Sequence, residues 1–267
     1  MPTAPLLELD NVTKRFGQVT VAAGLSLHVG ANEALGIVGP NGAGKTTLFG
    51  MVSGDLASDG GRILFDGNTV NRLDAAARCR LGIGRTYQVP RPFELMTVFE
   101  NVLVAVQSGA GLRRAGANDL AISVLDETGL LAVANRPAGD LGLLQRKRLE
   151  LARALATQPR LLLLDEVAGG LTDLEVAELI AIVRGALQRG VAVVWIEHVV
   201  RTLVQTVDRL VCLAGGQIIA DGNPDEVLAH PKVKEVYFGA GDPSSDETGG
   251  SVPWRPGGID FELELGR

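Results

Sequence analysis

The stretch GPNGAGKT, Gly39 to Thr46, constrains this chain more than any other. It satisfies GxxxxGK[ST] in full, between an apolar run, EALGIVGP, that reads as a strand and KTTLFGMVSG, which has helical character. Gly39, Gly42 and Gly44 free the backbone to curl so that several amide N–H groups point at phosphate oxygens, with the positive end of the helix behind them. Lys45 is then set to neutralise β- and γ-phosphate charge, and the Thr46 hydroxyl to ligate Mg²⁺. Pro40, Asn41, Ala43 and Thr47 complete the candidate phosphate-binding surface.

A second motif complements the first. LLLLDE is an apolar strand that carries Asp165 to its end, where a carboxylate can hold Mg²⁺ directly or through water; Glu166 follows, placed to polarise an attacking water. His198 ends the next apolar strand, AVVWIEH, within reach of a γ-phosphate oxygen.

Strand signals recur elsewhere: LLELDNV, LSLHV, GRILFDG and GIGRTYQ are short strands, and DRLVCLAGGQIIADG reads as a hairpin around Gly215 and Gly216. RLLLLDE and GVAVVWIEH are unbroken apolar runs, typical of strands buried on both faces, so a mostly parallel core sheet is expected. Between Gln88 and Pro159 the pattern turns helical, in TVFENVLVAVQ, DLAISVLDETGL and RKRLELARALAT, and we read a helical lobe inserted into the sheet domain. Beyond residue 240, GDPSSDETGGSVPWRPGG has little to bury and reads as a linker. It leads to IDFELEL, whose alternation predicts a strand over 259–265 within the tail 241–267.

The 267 residues suit one sizeable α/β unit with a lobe or tail attached. A net charge of -6 argues against a dedicated nucleic-acid binder, which would present a basic surface. Cys79 and Cys212 form no CxxC and sit in no His- or acid-rich cluster, so neither a disulfide nor a metal framework is expected, and a reducing cytosol fits. The opening MPTAPLLELDN lacks a signal-peptide pattern and the longest apolar runs fall far short of a membrane span, which predicts a soluble protein.

GPNGAGKTT, TYQ, LLLLDE and IEH, in this order, resemble the nucleotide-binding subunit of ABC transporters, over residues 5 to 240. IGRTYQVPRPFELMTVFENVLVA, KRLELARALATQPRLLLLDE and HPKVKEVYFG look like the ATPase subunits of branched-chain amino acid importers, and the lipopolysaccharide-export ATPase is similar over the same stretches. The resemblance implies an α/β P-loop NTPase (RecA-like) fold: a mostly parallel core sheet with antiparallel strands and an inserted helical subdomain. It divides an ATPase domain, 1–240, into a core (1–88 and 159–222), a helical subdomain (89–158) and C-terminal helices (223–240).

It also implies ATP and Mg²⁺ as ligands. Phe16 would stack on adenine; Gln88 would contact Mg²⁺ and the attacking water and hinge the helical lobe; His198 would be the switch histidine. The catalytic set is then Glu166, His198, Gln88 and Lys45, and the metal set Thr46, Gln88 and Asp165. VPRPFELM would line a groove for a cytoplasmic helix of the permease, and GGLT, Gly169 to Thr172, would form the dimer-contact loop, with Thr172 where Asp or Asn is usual. The implied partners are transmembrane permease subunits, a second ATPase subunit in a homo- or heterodimer and, indirectly, an external solute-binding protein. The implied location is peripheral, on the cytoplasmic face of the plasma membrane, with branched-chain amino acids or related small polar solutes as cargo.

One motif departs from the family. Where its signature reads LSGGQ, this chain has Leu141, Gly142, Leu143, Leu144 and Gln145: the hydroxyl is gone, and Leu144 stands where a glycine lets the backbone approach phosphate, leaving Gly142 and Gln145 as candidate contacts. Losing one preorganised donor at a developing anion costs about 3 kcal/mol, roughly a hundredfold in rate. In the family the signature acts on ATP bound to the opposite subunit, so a partner with an intact signature would leave this chain's own glycine-loop site fully competent and weaken the other. Val167 replaces the family's proline after Glu166, a change of loop stiffness rather than charge. The resemblance leaves two alternatives: the ATPase of a lipopolysaccharide-type exporter, and an ATP-binding regulatory subunit with one degenerate site.

Overall fold

Alternation along β1 (Leu7–Phe16) buries Leu7, Leu9 and Val12 and exposes Glu8 and Asn11, as a strand covered on one face requires. In the computed structural model, which describes residues 4–238, β1 pairs antiparallel with both β2 (Val19–Val29) and β4 (Gly60–Phe65), and β5 (Asn68–Thr69) completes a four-stranded sheet ordered β2-β1-β4-β5. Asn11, at φ 51°, sits where the β1–β2 register shifts between Leu9 and Val12.

The second sheet is six-stranded: β10 (Gln217–Gly222), β9 (Arg209–Ala214), β3 (Ala34–Val38), β8 (Ala192–Ile196), β7 (Leu161–Asp165) and β6 (Ile83–Arg85), in that spatial order. All neighbours are parallel except β10, which folds back on β9 through Gly215 and Gly216, both at positive φ. Every residue of β3, β7 and β8 is buried, which is why their sequences are unbroken apolar runs. One core cluster lies between this sheet and the antiparallel one, around Phe49, Leu35 and Ile63; the other packs helices on its opposite face, around Trp195, Leu149 and Leu125.

Parallel strands end on a common side. The residues that follow β3, β6, β7 and β8 (Gly39, Thr86 to Gln88, Glu166, and Glu197 with His198) are therefore delivered to one edge, where open α/β sheets place ligands. Connecting helices flank the sheet: α1 (Lys45–Ser53), α2 (Ala75–Leu81), α6 (Asp173–Gln188), α7 (Val200–Val204), α8 (Pro224–Ala229) and α9 (Pro231–Phe238). Between β6 and β7 run α3 (Val98–Ala105), a π-helical turn (Val106–Ala110), α4 (Ala115–Glu127) and α5 (Leu143–Ala156), with a single isolated bridge, Thr97 to Pro137, as their β-type pairing among the described residues.

Three helices, α2, α6 and α7, are not among those expected from the sequence. α6 follows a capping box in which Thr172 Oγ1 accepts from the Glu175 amide and the Glu175 carboxylate accepts from the Thr172 amide; the TDLE pattern is its cue. α2 is short and is anchored by Arg78, a buried arginine that donates to the carbonyls of Met51, Val52 and Leu73. α5 also starts at Leu143, ahead of RKRLELARALAT. The expected strand over 259–265 lies outside the described residues.

Candidate nucleotide site

Leaving β3, the chain turns through Gly39, Gly42 and Gly44, at φ 153°, 79° and 99°. A Cβ on Gly39 would lie 2.0 Å from the Leu213 carbonyl oxygen, and one on Gly44 2.6 Å from that of Val21, so glycine is required both for conformation and for close approach. Gly44 is the N-cap of α1, and no side chain caps that end, which leaves its first amides open toward the loop. Lys45 is buried and donates to the carbonyls of Gly39 (2.7 Å) and Pro40 (3.1 Å). Burial pulls its pKa below the usual lysine value, while nearby Glu166 and Asp165 oppose that pull. Asn41, Gly42 and Thr46 are exposed, Ala43 is buried, and Pro40 and Thr47 are half-buried.

Asp165, at the end of β7, is 1 % exposed. Its Oδ2 accepts from Arg85 Nη2 at 3.1 Å and its backbone amide donates to Thr86 Oγ1 at 3.2 Å, but Oδ1 has no hydrogen-bond partner. Burial raises its pKa and Arg85 works against that rise. An orphaned buried carboxylate oxygen is a fitting donor for a hard divalent cation. The described residues hold no group of three or more His, Cys, Asp or Glu that would cage a metal.

Glu166 is the focus of the site. Its carboxylate accepts from Gln88 Nε2 at 2.5 Å and meets His198 Nε2 at 2.7 Å, so three groups from three strand ends converge on one point. Its backbone is left-handed, φ 49°, a conformation that costs a non-glycine residue about 1–3 kcal/mol. The turn is held at both ends: the Glu166 amide donates to the Ile196 carbonyl at 2.9 Å, and the Glu166 carbonyl accepts from Lys147 Nζ at 3.0 Å. A hydrogen bond from a charged donor contributes about 1.5–3 kcal/mol, enough to offset the strain. Just beyond, buried Glu197 accepts from the Ala168 amide (2.7 Å) and from Trp195 Nε1 (3.2 Å). A carboxylate flanked by an amide and an imidazole can position a water and take its proton.

Lys147, Glu197 and Arg85 are functional neighbours that sequence reasoning missed. Arg85 ties Asp165 to Asp55 (2.9 Å) and Ser53 (3.0 Å). The available signal was a charge attached to a buried apolar segment, Arg85 in GIGRTYQ and Glu197 in AVVWIEH. Replacing Glu197 with alanine leaves two buried donors without an acceptor, and we expect a loss of about 2–4 kcal/mol in stability. Thermal melts would read it, with Glu197→Gln, which keeps the acceptor, close to wild type.

The other sequence-predicted residues lie apart from this focus. Phe16, at the end of β1, is 49 % exposed, with Lys14 Nζ 5.4 Å from its ring centroid; it is presented by the hairpin whose other strand, β2, supplies the Val21 carbonyl beside Gly44. Gly142 is the N-cap of α5 without a side-chain cap, and Gln145 lies in the first turn. Of the two leucines between them, Leu144 packs on the helical core whereas Leu143 is 48 % exposed, so Leu143 and not Leu144 is the side chain that faces outward. A Cβ on Gly170 would lie 3.2 Å from Leu143 Cδ2, so the exposed leucine rests beside the GGLT loop. Between Gln88 and α3, Val89, Phe93 and Leu95 are exposed, beside a cleft of about 260 Å³ lined by Phe93, Cys79, Asn101, Arg153 and Thr157.

Comparison with known proteins bears on the family and the fold. Residues 22–169 match a family model described as ABC transporter, and residues 217–243 one described as branched-chain amino acid ATP-binding cassette transporter. The chain is 37% identical over 250 residues to the high-affinity branched-chain amino acid transport ATP-binding protein BraF of Pseudomonas aeruginosa, covering 88% of this chain and 98% of that protein. It is 33% identical over 234 residues to the lipopolysaccharide export system ATP-binding protein LptB of Haemophilus influenzae, covering 88% and 97%. The crystal structure of the ADP conformation of an ATP-binding cassette of an ABC transporter superposes with a TM-score of 0.81 at 31% identity, covering 89% of this chain and 100% of that one.

Proposed function

Since the chain belongs to the ABC transporter family, as an ATP-binding and ATP-hydrolysing subunit of the branched-chain amino acid transporter type, we propose that it powers the import of branched-chain amino acids or related small polar solutes through a permease that it does not itself contain. The observation that carries the hydrolytic roles is the meeting of Gln88, Glu166 and His198 at the edge of the sheet that also bears the glycine loop.

ATP phosphates lie in the Gly39–Thr47 loop, with Lys45 exchanging the Gly39 and Pro40 carbonyls for phosphate oxygens, and the adenine stacks on exposed Phe16. Asp165 Oδ1, the Thr46 hydroxyl and the Gln88 side chain would hold Mg²⁺, which when bound neutralises charge on the β- and γ-phosphates. Glu166 accepts the proton of the attacking water, Gln88 orients that water, and His198 steadies the carboxylate and faces the γ-phosphate.

Exposed Val89, Phe93 and Leu95, with the cleft beside them, offer an apolar seat for a permease helix. Attachment to the cytoplasmic face runs through that docking; among the described residues no helix is long and apolar enough to cross a membrane. A second ATPase subunit pairs with this one, its signature completing the site at Gly39–Thr47, while Gly142 and Gln145 face the partner's ATP. The helical segment 89–158 moves as a unit on Gln88, against the core of 1–88 and 159–222. The match over 217–243 favours import over export, and the intact Glu166 cluster favours hydrolysis over a purely regulatory role.

A tag on this chain provides the test. Permease subunits and a second ATPase subunit are expected to copurify, and the assembly in liposomes is expected to move labelled leucine, isoleucine or valine only when ATP and a matching solute-binding protein are supplied. Recovery of lipopolysaccharide-export components instead would replace the import reading with the export one.

A further inference from the structure

The second turn of α5 carries a lysine with no place in the roles above. Lys147 is 5 % exposed, and its Nζ donates to two main-chain carbonyls, those of Glu166 at 3.0 Å and Gln88 at 3.2 Å. These are the two residues whose side chains meet at 2.5 Å, although they stand 78 positions apart in the chain. The ammonium therefore clasps the backbones of the pair while their side chains touch. Among the described residues the only other donor to the Glu166 carbonyl is the Gly169 amide, at 3.4 Å, so Lys147 supplies the shorter support for a backbone held at φ 49°.

The same helix face continues this grip along the loop after Gln88. Glu150 accepts from the Arg91 amide at 3.4 Å, and Arg153 donates to the Arg91 carbonyl at 2.7 Å and lies 5.0 Å from the Phe93 ring. Lys147, Glu150 and Arg153, spaced by three, form one stripe on α5. Burial opposes the charge on Lys147, and Glu197, Glu166, Glu150 and Asp165 sustain it.

We propose that Lys147 is a positioning residue for ATP hydrolysis, a strut that fixes the Glu166 and Gln88 backbones to α5 and so keeps the Glu166 carboxylate aimed. Its ammonium is engaged by the two main-chain carbonyls, so it acts through Glu166 and Gln88. Because α5 begins in the Leu141–Gln145 segment, a shift of that end is passed through Lys147 to the acid on the far side of the loop. The stripe at Glu150 and Arg153 passes a shift of the Gln88–Phe93 loop to the same helix. This inference rests on the hydrolytic reading of Glu166 given above.

The test uses the transporter assembly purified through a tag on this chain, with Lys147→Met, which keeps length and apolar bulk, and Lys147→Arg, which keeps the donor. A carboxylate displaced by a fraction of an ångström to an ångström is expected to lower kcat roughly tenfold to a hundredfold in the Met variant, with the Kd of a fluorescent ATP analogue within about twofold and the melting temperature little changed. Arg is expected to restore most of the rate. A Met variant that keeps its kcat, or one whose lost rate follows lost nucleotide affinity or a lowered melting temperature that Arg does not repair, overturns the strut. Wild-type assembly that binds the analogue but fails to hydrolyse ATP overturns the reading of Glu166 itself, and the two failures are thus told apart.

Discussion

Replacing Glu166 with glutamine is expected to lower ATP turnover by about two to three orders of magnitude while ATP still binds. The substitution keeps shape and keeps one oxygen, for either Gln88 Nε2 or His198 Nε2, which now meet Oε2 and Oε1 at 2.5 and 2.7 Å, but it turns the other oxygen into an NH2 and removes the negative charge and the ability to take a proton. The left-handed turn at Glu166 rests on main-chain contacts to Ile196 and Lys147, which the substitution leaves in place, so the loss should be in kcat and not in folding. If the second subunit carries an intact signature, the effect will be lopsided. The variant in this chain would then silence the competent site, whereas the matching change in the partner, whose ATP would face Gly142, Leu143 and Gln145, would remove only a small remainder. Equal losses from the two single variants would show that the altered Leu141–Gln145 segment supports hydrolysis as well as an intact one.

Replacing Gly39 with alanine should be the most damaging of the small changes in the glycine loop. The new methyl would stand 2.0 Å from the Leu213 carbonyl oxygen, far inside contact distance, at a φ of 153° that L residues avoid. Neither side can yield cheaply, because Leu213 belongs to β9, paired with β3 just before the loop. Overpacking and backbone strain together suggest a cost of about 3–5 kcal/mol, enough to shift the melting temperature by several degrees and to abolish nucleotide binding. Gly42 supplies the internal control. A Cβ there meets nothing within 4 Å, so Gly42→Ala should cost only the left-handed penalty of about 1–2 kcal/mol and keep the protein folded. Comparable melting temperatures for the two variants would mean that the β3–β9 edge yields to the loop.

What could be read in advance follows from which forces act locally. β3, β7 and β8 are buried on both faces, so their amino acids carry the whole signal, and the motifs at their ends arrive with them. The clasp on Glu166 could not be read in this way. Lys147 reaches Gln88 from 59 positions away, and the contact depends on where α5 begins and how it is rotated against β7. The same phase decides between adjacent leucines: successive helical residues point about 100° apart, so Leu144 packs inward while Leu143 is left outside. Thr172, standing where the family has an acid or amide, caps α6 through its hydroxyl, a task that all three side-chain types can perform.

Lys45 donates from its ammonium to two carbonyls of its own loop, those of Gly39 and Pro40, so the curl of the cradle is tied from within by the same side chain that we assign to phosphate. A phosphate oxygen that reaches this nitrogen competes with main-chain oxygens of its own loop, and what the lysine adds to affinity is the difference between the two sets of contacts.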